Sequence, residues 1–536
     1  MKGRKIMLIR NRAIVNGYAA LVLVAAFIEL NDWSPQLMAQ ELGKPLRQAQ
    51  DRPNVLLISL DDLNDWIEPM GGHPQALTPN LAAFAKEAIT FQNAYCASPS
   101  CNPSRTALMT GKAPYVTGLY TNPQIWRHIL PDETTLPEYF KQAGYWTGGA
   151  GKLFHNNMPD PRSWNEYYPS LIQHFPYYYL PDVDPKTGQK IFRKQDNEIL
   201  EDDHKGVRFN MPYWKGSYIA FDWAPLPYET EDTGDYASAK WVIDQLGKKR
   251  DKPFFLGCGI YRPHLPLYVP QEYFDKFPID DIQLPKILAG DLDDIPAAGR
   301  KLAGARNDHK NVIEAGQWKQ AVQGYLASVN YADDLTGRVL DALAKSEYAD
   351  NTIVIVFSDH GWHLGEKEHW QKFALWENLI KSVLMVSVPD QLLSETGSKQ
   401  KGSDSYRNVS LIDIFPTLTE LCKLPEKQGV NGRSLVPLLS SPNDEAWNHP
   451  VISMHSHNHF SIRKDDWHYI LYDEGGEELY DLKKDPEEWV NLADVSEYKR
   501  VIRNLNKHIP NERKEYVKTK PIRWAEVLSG ETKFYK

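Results

Sequence analysis

The sequence predicts an α/β protein with a large mixed, mostly parallel sheet flanked by helices and a smaller C-terminal α+β subdomain. Three short and largely apolar runs, residues 54–60, 254–260 and 353–357, are typical of strands that are buried on both faces of a sheet. Helical patterns separate them, and the longest covers 318–344. Strands that alternate with helices favour a parallel sheet, because a parallel connection needs a crossover long enough to hold a helix.

The length of the chain predicts its domain organisation, and its net charge limits the partners that it can bind. The chain has 536 residues, and single cores stop growing at roughly 250 to 300 residues. We therefore expect a main domain at 52–440 and a C-terminal subdomain at 441–536, divided at a polar, proline-containing link. The formal net charge of −9 gives no support to binding of nucleic acid or of a membrane surface.

The N-terminus has the pattern of a secretory signal peptide over residues 1–39. Basic residues at positions 2 to 12 precede an apolar run at 18–30, and the small residue Ala39 stands before Gln40. The apolar run is short for a membrane span, and a single anchor is the alternative. We expect an exported protein, periplasmic or extracellular.

Acidic residues follow two of the predicted buried strands. Asp61 and Asp62 come after the first strand, and Asp359 and His360 come after the strand at 353–357. The carboxyl ends of parallel strands meet at one edge of a sheet, where α/β proteins bind ligands. Oxygen ligands suit Ca²⁺ or Mg²⁺, although a neutral histidine nitrogen is an unusual addition for either ion. Taken alone, the aspartates are more typical of a solvated turn than of a metal site.

Cys101 begins the segment Cys-Asn-Pro-Ser-Arg, which ends at Arg105. Pro103 suits the first turn of a helix, so we expect Cys101 at a helix N-terminus. Such an end attracts anions, because its backbone N–H groups lack intrahelical partners and Arg105 adds a positive charge. The alternative is a buried or disulfide-bonded cysteine.

Further candidates for anion binding and proton transfer are single residues. Lys152 and His155 lie in a glycine-flanked segment, and His264 stands between two prolines that fix the backbone direction. Lys372 lies twelve residues after His360. The alternative to a functional role is a solvated side chain for Lys152, His155 and Lys372. For His264 it is a buried structural histidine.

The cysteine segment, followed by Thr110, Gly111 and Lys112, resembles the signature of type I sulfatases. In that family an enzyme oxidises the cysteine to formylglycine, whose hydrate is the nucleophile. Lys112 departs from the signature, which more often has arginine there. The ordered motifs from residue 54 to 372 are similar to those of type I sulfatases in the alkaline phosphatase superfamily. Ser-Asp-His-Gly-Trp, with His360, most resembles the iduronate-2-sulfatase branch.

The resemblance implies a role for each matching residue. It implies that Asp61, Asp62, Asp359 and His360 hold one Ca²⁺ together with the modified Cys101. It implies that Arg105 and Lys152 steady the formylglycine hydroxyls, that His264 protonates the leaving alcohol, that Lys372 neutralises charge on the sulfate and leaving oxygen, and that His155 deprotonates the remaining hydroxyl. Trp362, His363 and the irregular region 156–233 are candidates for sugar contacts.

The implied function is hydrolysis of sulfate esters by exo-action on a saccharide, such as a sulfated uronic acid or another sugar derived from a polysaccharide. The implied partners are the sulfated saccharide and a formylglycine-generating enzyme. Two alternatives stay open. One is a phosphoester or phosphonate hydrolase of the same superfamily, and the other is a sulfated-glycan binder without catalysis.

Overall fold

The structure is a computed structural model in which residues 52–155, 160–168, 179–183, 190–194, 209–212, 218, 220–393 and 400–519 are described. The predicted signal peptide at 1–39 and much of the predicted loop region at 156–233 lie outside the described residues. The described residues all belong to one compact unit. The predicted boundary at 440 stays a prediction.

Twenty-one strands form the described sheets. In chain order they are β1 Asn54–Asp61, β2 Ile89–Phe91, β3 Ala94–Tyr95, β4 Trp146–Gly151, β5 Glu166–Tyr168, β6 Tyr179–Val183, β7 Lys190–Lys194, β8 Trp223–Leu226, β9 Phe254–Pro263, β10 Leu267–Pro270, β11 Thr352–Ser358, β12 His363–Leu364, β13 Trp370–Gln371, β14 Lys381–Ser382, β15 Leu384–Ser387, β16 Ser403–Ser405, β17 Val409–Ser410, β18 Val451–His455, β19 His459–Lys464, β20 Trp467–Leu471 and β21 Glu477–Asp481.

The main sheet has eight strands in the order β16-β2-β15-β11-β1-β9-β4-β5. Its central strands β11, β1, β9, β4 and β5 all pair in parallel, and β15 is antiparallel to both of its neighbours. Strands β1 and β11 are in register from Asn54 opposite Thr352 to Leu60 opposite Ser358. The carboxyl ends of β1 and β11 therefore lie side by side.

Fifteen α-helices are described. They are α1 Pro79–Ala85, α2 Cys101–Thr110, α3 Pro114–Thr117, α4 Trp126–Ile129, α5 Leu136–Gln142, α6 Gly234–Leu246, α7 Gln271–Phe274, α8 Ala297–Ala303, α9 Asp308–Glu314, α10 Trp318–Ala344, α11 Glu377–Ile380, α12 Asp390–Leu393, α13 Ile414–Leu421, α14 Val436–Ser440 and α15 Lys499–Asn506. None of the described helices is long and apolar enough to cross a membrane.

Both faces of the main sheet are covered. Alternate residues of β1 enter two different hydrophobic clusters, with Val55 and Leu57 in one and Leu56 and Ile58 in the other. The first cluster includes helices α2 and α13, and the second includes α1, α6 and α10. This burial explains why the strand sequences are apolar on both sides.

The C-terminal part has its own sheet. Strands β18, β19, β20 and β21 form an antiparallel meander, and its inner face packs against helix α15 through a small separate cluster that includes Ile462, Tyr469 and Ile502. The predicted large sheet with flanking helices and a smaller C-terminal α+β part is thus observed.

Several details of local structure bear on the sequence patterns. The helix predicted at 318–344 is observed with those bounds as α10. Strands β14 and β15 are separate although they are neighbours in the chain, because Ser382 pairs with β3 and Leu384 pairs with β11. Pro416 lies in the first turn of α13, where a proline is tolerated because its missing N–H has no partner within the helix. All four cysteines are free and buried.

Candidate active site

Four neighbouring strands of the main sheet deliver the candidate residues at their carboxyl ends. Strand β1 ends at Asp61, and Asp62 follows it, while Asp359 and His360 follow β11. Lys152 follows β4 and His264 follows β9. Because these strands run in parallel, the sequence motifs that were predicted separately meet at one edge.

Cys101 is the first residue of helix α2, as predicted, and its side chain is 0% exposed. The N-cap residue Ser100 makes no side-chain capping hydrogen bond. Instead, Oδ1 of Asn122 accepts hydrogen bonds from the Ser100 hydroxyl at 2.7 Å and the Asn102 backbone N–H at 2.9 Å. Asn122 thereby holds the start of the helix. Nothing in the local sequence signalled this role.

The Cys101 sulfur lies among cationic and metal-ligating groups. Its Sγ is 3.1 Å from Nζ of Lys372, 3.3 Å from Nε2 of His360, 3.9 Å from Nζ of Lys152 and 3.9 Å from Oδ1 of Asp62. We call the following residues the strand-end cluster: Asp61, Asp62, Cys101, Arg105, Lys152, Asp359, His360 and Lys372. Its three carboxylates and three cationic side chains are all buried.

Arg105 faces the carboxylates of this cluster. Its Nε donates to Oδ2 of Asp359 and its NH2 group donates to Oδ1 of Asp61, both at 2.9 Å. Its NH1 group donates to the hydroxyl of Ser59 at 2.9 Å and to the carbonyl of Lys152 at 2.6 Å. The guanidinium therefore orients two potential metal ligands. The contact with Arg105 accounts for the polar residue Ser59 inside a largely apolar strand.

Lys152 reaches the cluster from a turn that requires glycine. Gly151 has φ +69°, and a Cβ atom there would lie 1.8 Å from the carbonyl oxygen of Gly259. The Lys152 ammonium donates to Oδ2 of Asp61. Burial raises the pKa of Asp61, but the charges of Lys152 and Arg105 outweigh burial and hold that pKa well below its usual range.

Asp62 is strained and incompletely hydrogen bonded. Its φ is +62°, a left-handed conformation that residues other than glycine rarely adopt. Its Oδ1 accepts a hydrogen bond from Lys372 at 2.6 Å, whereas its buried Oδ2 has no hydrogen-bond partner among the described residues. Burial raises the pKa of Asp62 to about 7, although Lys372 opposes this shift.

His360 presents a free ring nitrogen to the cluster. Its Nδ1 lies 2.9 Å from the carbonyl oxygen of Gly361, and because a carbonyl only accepts, Nδ1 carries the proton. Nε2 then has a lone pair, 3.4 Å from Oδ1 of Asp62 and 3.6 Å from Oδ2 of Asp359. Burial lowers the pKa of His360 to about 4, which keeps the ring neutral.

The two other predicted histidines lie beside the cluster. His264 donates from Nδ1 to the carbonyl of Leu265 and places Nε2 3.7 Å from Oδ2 of Asp62. His155 is buried, and its Nδ1 has no hydrogen-bond partner among the described residues. Burial, with the charges of Lys152 and Lys372, lowers the pKa of both histidines well below the ordinary value.

The donor atoms fit a metal ion. One ligand atom from each of Asp62, Cys101, Asp359 and His360 lies within 4.8 Å of the others, and Asp61, Asp62, Cys101 and His264 form a second such group. The unpartnered Oδ2 of Asp62 is a buried acceptor that a cation would satisfy. Carboxylate oxygens suit Ca²⁺, whereas a cysteine sulfur beside a histidine nitrogen suits Zn²⁺.

The residues predicted to touch sugar are buried. Trp362 is 1% exposed and stacks on Tyr325, and the centroid of its ring lies 5.4 Å from Nζ of Lys372. His363 is 2% exposed and stacks on Trp376. These contacts place both side chains in the packing beneath the cluster, and they give no support to direct sugar contacts.

Comparison with known proteins agrees with this geometry. The model of the family described as Sulfatase matches residues 53–424, and that of N-sulphoglucosamine sulphohydrolase, C-terminal, matches residues 365–515. A sulfatase of Formosa agariphila is 36% identical over 482 residues, covering 87% of this chain and 88% of the relative. Iduronate 2-sulfatase of Homo sapiens is 30% identical over 409 residues, covering 70% of each chain.

Solved structures give the same fold. Phosphonate monoester hydrolase from Silicibacter pomeroyi superposes with a TM-score of 0.68 over 87% of this chain and 96% of that one, at 18% identity. A likeness at this identity shows the fold alone. The Sulfatase match covers more than half of the chain, so the predicted family and fold class are confirmed. The chain belongs to the sulfatase family, and it is a sulfuric ester hydrolase.

Proposed function

We propose that this enzyme hydrolyses sulfate esters of a saccharide, with formylglycine formed from Cys101 as the nucleophile and one Ca²⁺ in the strand-end cluster. The observation that carries the proposal is the convergence on Cys101. Two ammonium groups, a neutral imidazole and a carboxylate surround its sulfur at 3.1 to 3.9 Å. Such a site can bind a sulfate ester and stabilise the charge that develops on its oxygens.

The ligands proposed for the ion are Asp61, Asp62, Asp359 and His360, together with the modified residue 101. When bound, Ca²⁺ supplies positive charge to the nucleophile and to the sulfate. Conversion of Cys101 supplies a hydrated aldehyde and replaces a sulfur ligand by oxygen, which makes the donor set better suited to Ca²⁺ than to Zn²⁺. Arg105 supports the site by orienting Asp61 and Asp359.

In this proposal the charge of the site attracts the substrate anion, and Lys372 binds it. The three carboxylates of the cluster balance its three cationic side chains, so a divalent cation gives the site a net positive charge. A sulfate ester anion is then attracted to the site. Lys372, 3.1 Å from the Cys101 sulfur, is placed to neutralise the sulfate and the leaving oxygen, and Lys152, 3.9 Å from the same sulfur, is placed to steady the formylglycine hydroxyls.

His264 and His155 exchange protons with the reacting groups. Nδ1 of His264 is committed to the carbonyl of Leu265, so Nε2 is the atom that faces the site and donates a proton to the departing sugar alcohol. A sulfate anion beside the ring favours the protonated form that this step needs. His155 lies near both lysines and accepts a proton from the nucleophile when sulfate departs.

We further propose that the substrate is the terminal unit of a sulfated saccharide and that the enzyme is exported. The relationship to iduronate 2-sulfatase supports a sulfated uronic acid or a similar sugar. The basic and apolar pattern at residues 1–39 supports export, and export places the enzyme where extracellular polysaccharides are found. Sulfate released only from internal units of intact polymer would contradict exo-action.

The first test combines mass spectrometry with kinetics. The chain is expressed with a formylglycine-generating enzyme, and mass spectrometry determines the mass of the peptide that contains residue 101. Steady-state kinetics then compares the hydrolysis of aryl sulfate, phosphate and phosphonate esters. We expect the aldehyde at residue 101 and the highest kcat/KM for the sulfate ester. Full activity with an unmodified thiol would overturn the mechanism, and a preference for the phosphonate would favour the alternative hydrolase.

A further inference from the structure

The segment that carries Lys372 is a small hairpin with a charged tip. Strand β12 pairs antiparallel with β13, with His363 opposite Gln371, and Lys372 follows β13 directly. Lys367 lies in the turn of this hairpin. It is only 3% exposed, which is rare for a lysine without a function in binding or packing.

The hairpin has an unusual backbone. Four residues that are not glycine have positive φ within seven positions, namely Lys367 at +52°, Glu368 at +47°, Gln371 at +71° and Phe373 at +82°. Each such conformation costs free energy and persists only where the surroundings enforce it. Contacts outside the hairpin must therefore hold its shape.

Glu488, which follows the C-terminal sheet, supplies such contacts at both ends of the segment. Its backbone carbonyl accepts a hydrogen bond from the Lys367 ammonium, and its Oε2 accepts one from the backbone N–H of Glu377 at 2.8 Å. Lys372 lies midway between these two residues in the chain. One residue of the C-terminal part thus holds the segment five residues before and five residues after Lys372.

Further buried charges hold Glu488 and Lys367 in place. The Lys367 ammonium pairs with Oδ1 of Asp291 at 2.7 Å, and Oε1 of Glu488 bonds Nδ1 of His468 on β20. Glu377 is also paired, because Nε of Arg463 on β19 lies 2.9 Å from its Oε2. We call these residues the Glu488 clamp: Asp291, Lys367, Glu377, Arg463, His468 and Glu488.

We propose that Glu488 and Lys367 are positioning residues for Lys372, so that the C-terminal part belongs to the catalytic apparatus. The inference rests on the proposed role of Lys372 at the sulfate. Its ammonium is 2.6 Å from Oδ1 of Asp62 and 3.1 Å from the Cys101 sulfur, distances that a small shift of the hairpin would lengthen. Catalytic groups tolerate little displacement, since a misplacement of about 1 Å can cost 100-fold in rate.

A double-mutant cycle tests the proposal in the full-length, formylglycine-bearing enzyme loaded with Ca²⁺. The single variants are Lys367→Met, Glu488→Ala and Lys372→Met, and the double variants combine each of the first two with the third. We expect Lys367→Met and Glu488→Ala each to lower kcat for an aryl sulfate by about 10- to 100-fold, with a smaller change in KM. When Lys372→Met is already present, adding Lys367→Met or Glu488→Ala should lower kcat by less than about threefold, because the ammonium group that Lys367 and Glu488 position is gone.

Conservative variants separate positioning from simple stability. Glu488→Gln keeps an oxygen that can accept from Glu377 N–H, so it should recover most of the activity that Glu488→Ala loses. Lys427→Met is the matched control, because it removes another mostly buried lysine from its carboxylate partner, Glu133, away from the hairpin. We expect it to leave kcat unchanged.

Three outcomes would overturn the inference. They are an unchanged kcat in Lys367→Met, an equal loss with and without Lys372, and no recovery in Glu488→Gln. If Glu488→Ala does not fold, the Lys367→Met cycle decides alone. Failure of the proposed function is distinct, because the unmutated, aldehyde-bearing enzyme would then itself fail to hydrolyse sulfate esters.

Discussion

The strand-end cluster and the Glu488 clamp are both buried groups of charged side chains, but they differ in where their acceptor atoms point. In the strand-end cluster the carboxylates of Asp61, Asp62 and Asp359 converge, and Oδ2 of Asp62 has no donor among the described residues. In the clamp, the carboxylates of Glu377 and Glu488 contact protein cations or N–H groups. Among the described residues, the groups that could hold a metal ion lie only in the strand-end cluster and its neighbour His264.

The difference has a physical reason. Burial of a charge costs several kcal/mol unless the charge is paired and hydrogen bonded. In the clamp, protein cations face the carboxylates of Glu377 and Asp291 and hold one conformation, although Oε2 of Glu377 makes an ion pair and no hydrogen bond among the described residues. The strand-end cluster leaves an acceptor unsatisfied among the described residues and holds Asp62 in a left-handed conformation that its surroundings enforce. Among the described residues, a carboxylate oxygen that has neither a protein cation nor an N–H donor beside it therefore distinguishes the strand-end cluster from the clamp.

The largest effect should come from the nucleophile. Cys101→Ala removes the atom that we propose to become the aldehyde, so kcat for an aryl sulfate should fall at least about 10⁴-fold, as loss of a nucleophile does elsewhere. The measurement is steady-state kinetics with thermal unfolding as a check on folding. Cys258→Ala is the matched control, since Cys258 is an equally buried free cysteine in β9. An active Cys101→Ala enzyme would refute the nucleophile.

In the clamp, we expect loss of stability rather than of metal binding. Arg463→Met breaks a buried pair and leaves Glu377 with an uncompensated charge, which should lower the free energy of unfolding by about 3 to 5 kcal/mol. Urea unfolding measures this change. Calcium titration of the same variant should give the affinity of the parent protein, and a weakened affinity would show that the two clusters are not separate.

In the strand-end cluster, the opposite pattern is expected. Asp62→Asn removes a charged ligand, so the affinity for Ca²⁺ of the chelator-stripped enzyme should fall by at least about 100-fold, since even outer residues of metal sites cost 10- to 100-fold. Calorimetric titration measures the affinity. Asp333→Asn is the control. Asp333 is another buried aspartate, lies in helix α10 and accepts hydrogen bonds from the Asn80 side chain and the Leu81 backbone N–H. This variant should leave calcium affinity unchanged.

The sequence predicted the strand-end cluster better than the clamp. Apolar strands are local patterns, and each one ends just before its functional residue, so Asp61, Asp62 and Asp359 could be placed at one sheet edge from the sequence. The start of a helix at Cys101 was also a local signal. The direction of the Arg105 side chain could not be predicted from a local signal, because its partners Asp61 and Asp359 are 44 and 254 residues away in the chain.

The clamp could not be predicted because its contacts are distant in the chain and carry no periodic pattern. Lys367 and Glu488 are separated by 121 residues, and each one alone looks like an ordinary surface charge. The burial of Trp362 was missed for a similar reason. Its stacking partner Tyr325 lies on a different element, and an aromatic residue two positions after a proposed metal ligand is equally compatible with packing and with sugar binding.

The smallest effect is expected next to the clamp, at Glu487. Its carboxylate pairs with Lys286 at 2.8 Å, but the Lys286 side chain is 76% exposed and that of Glu487 is 26% exposed. Exposed ion pairs contribute about 0 to 1 kcal/mol, because water screens the charges and both side chains lose mobility. Glu487→Ala should therefore change the free energy of unfolding by less than about 1 kcal/mol and leave kcat unchanged. Adjacent glutamates with such different effects would show that contacts with the Lys372 segment, rather than charge at this position of the C-terminal part, support the site.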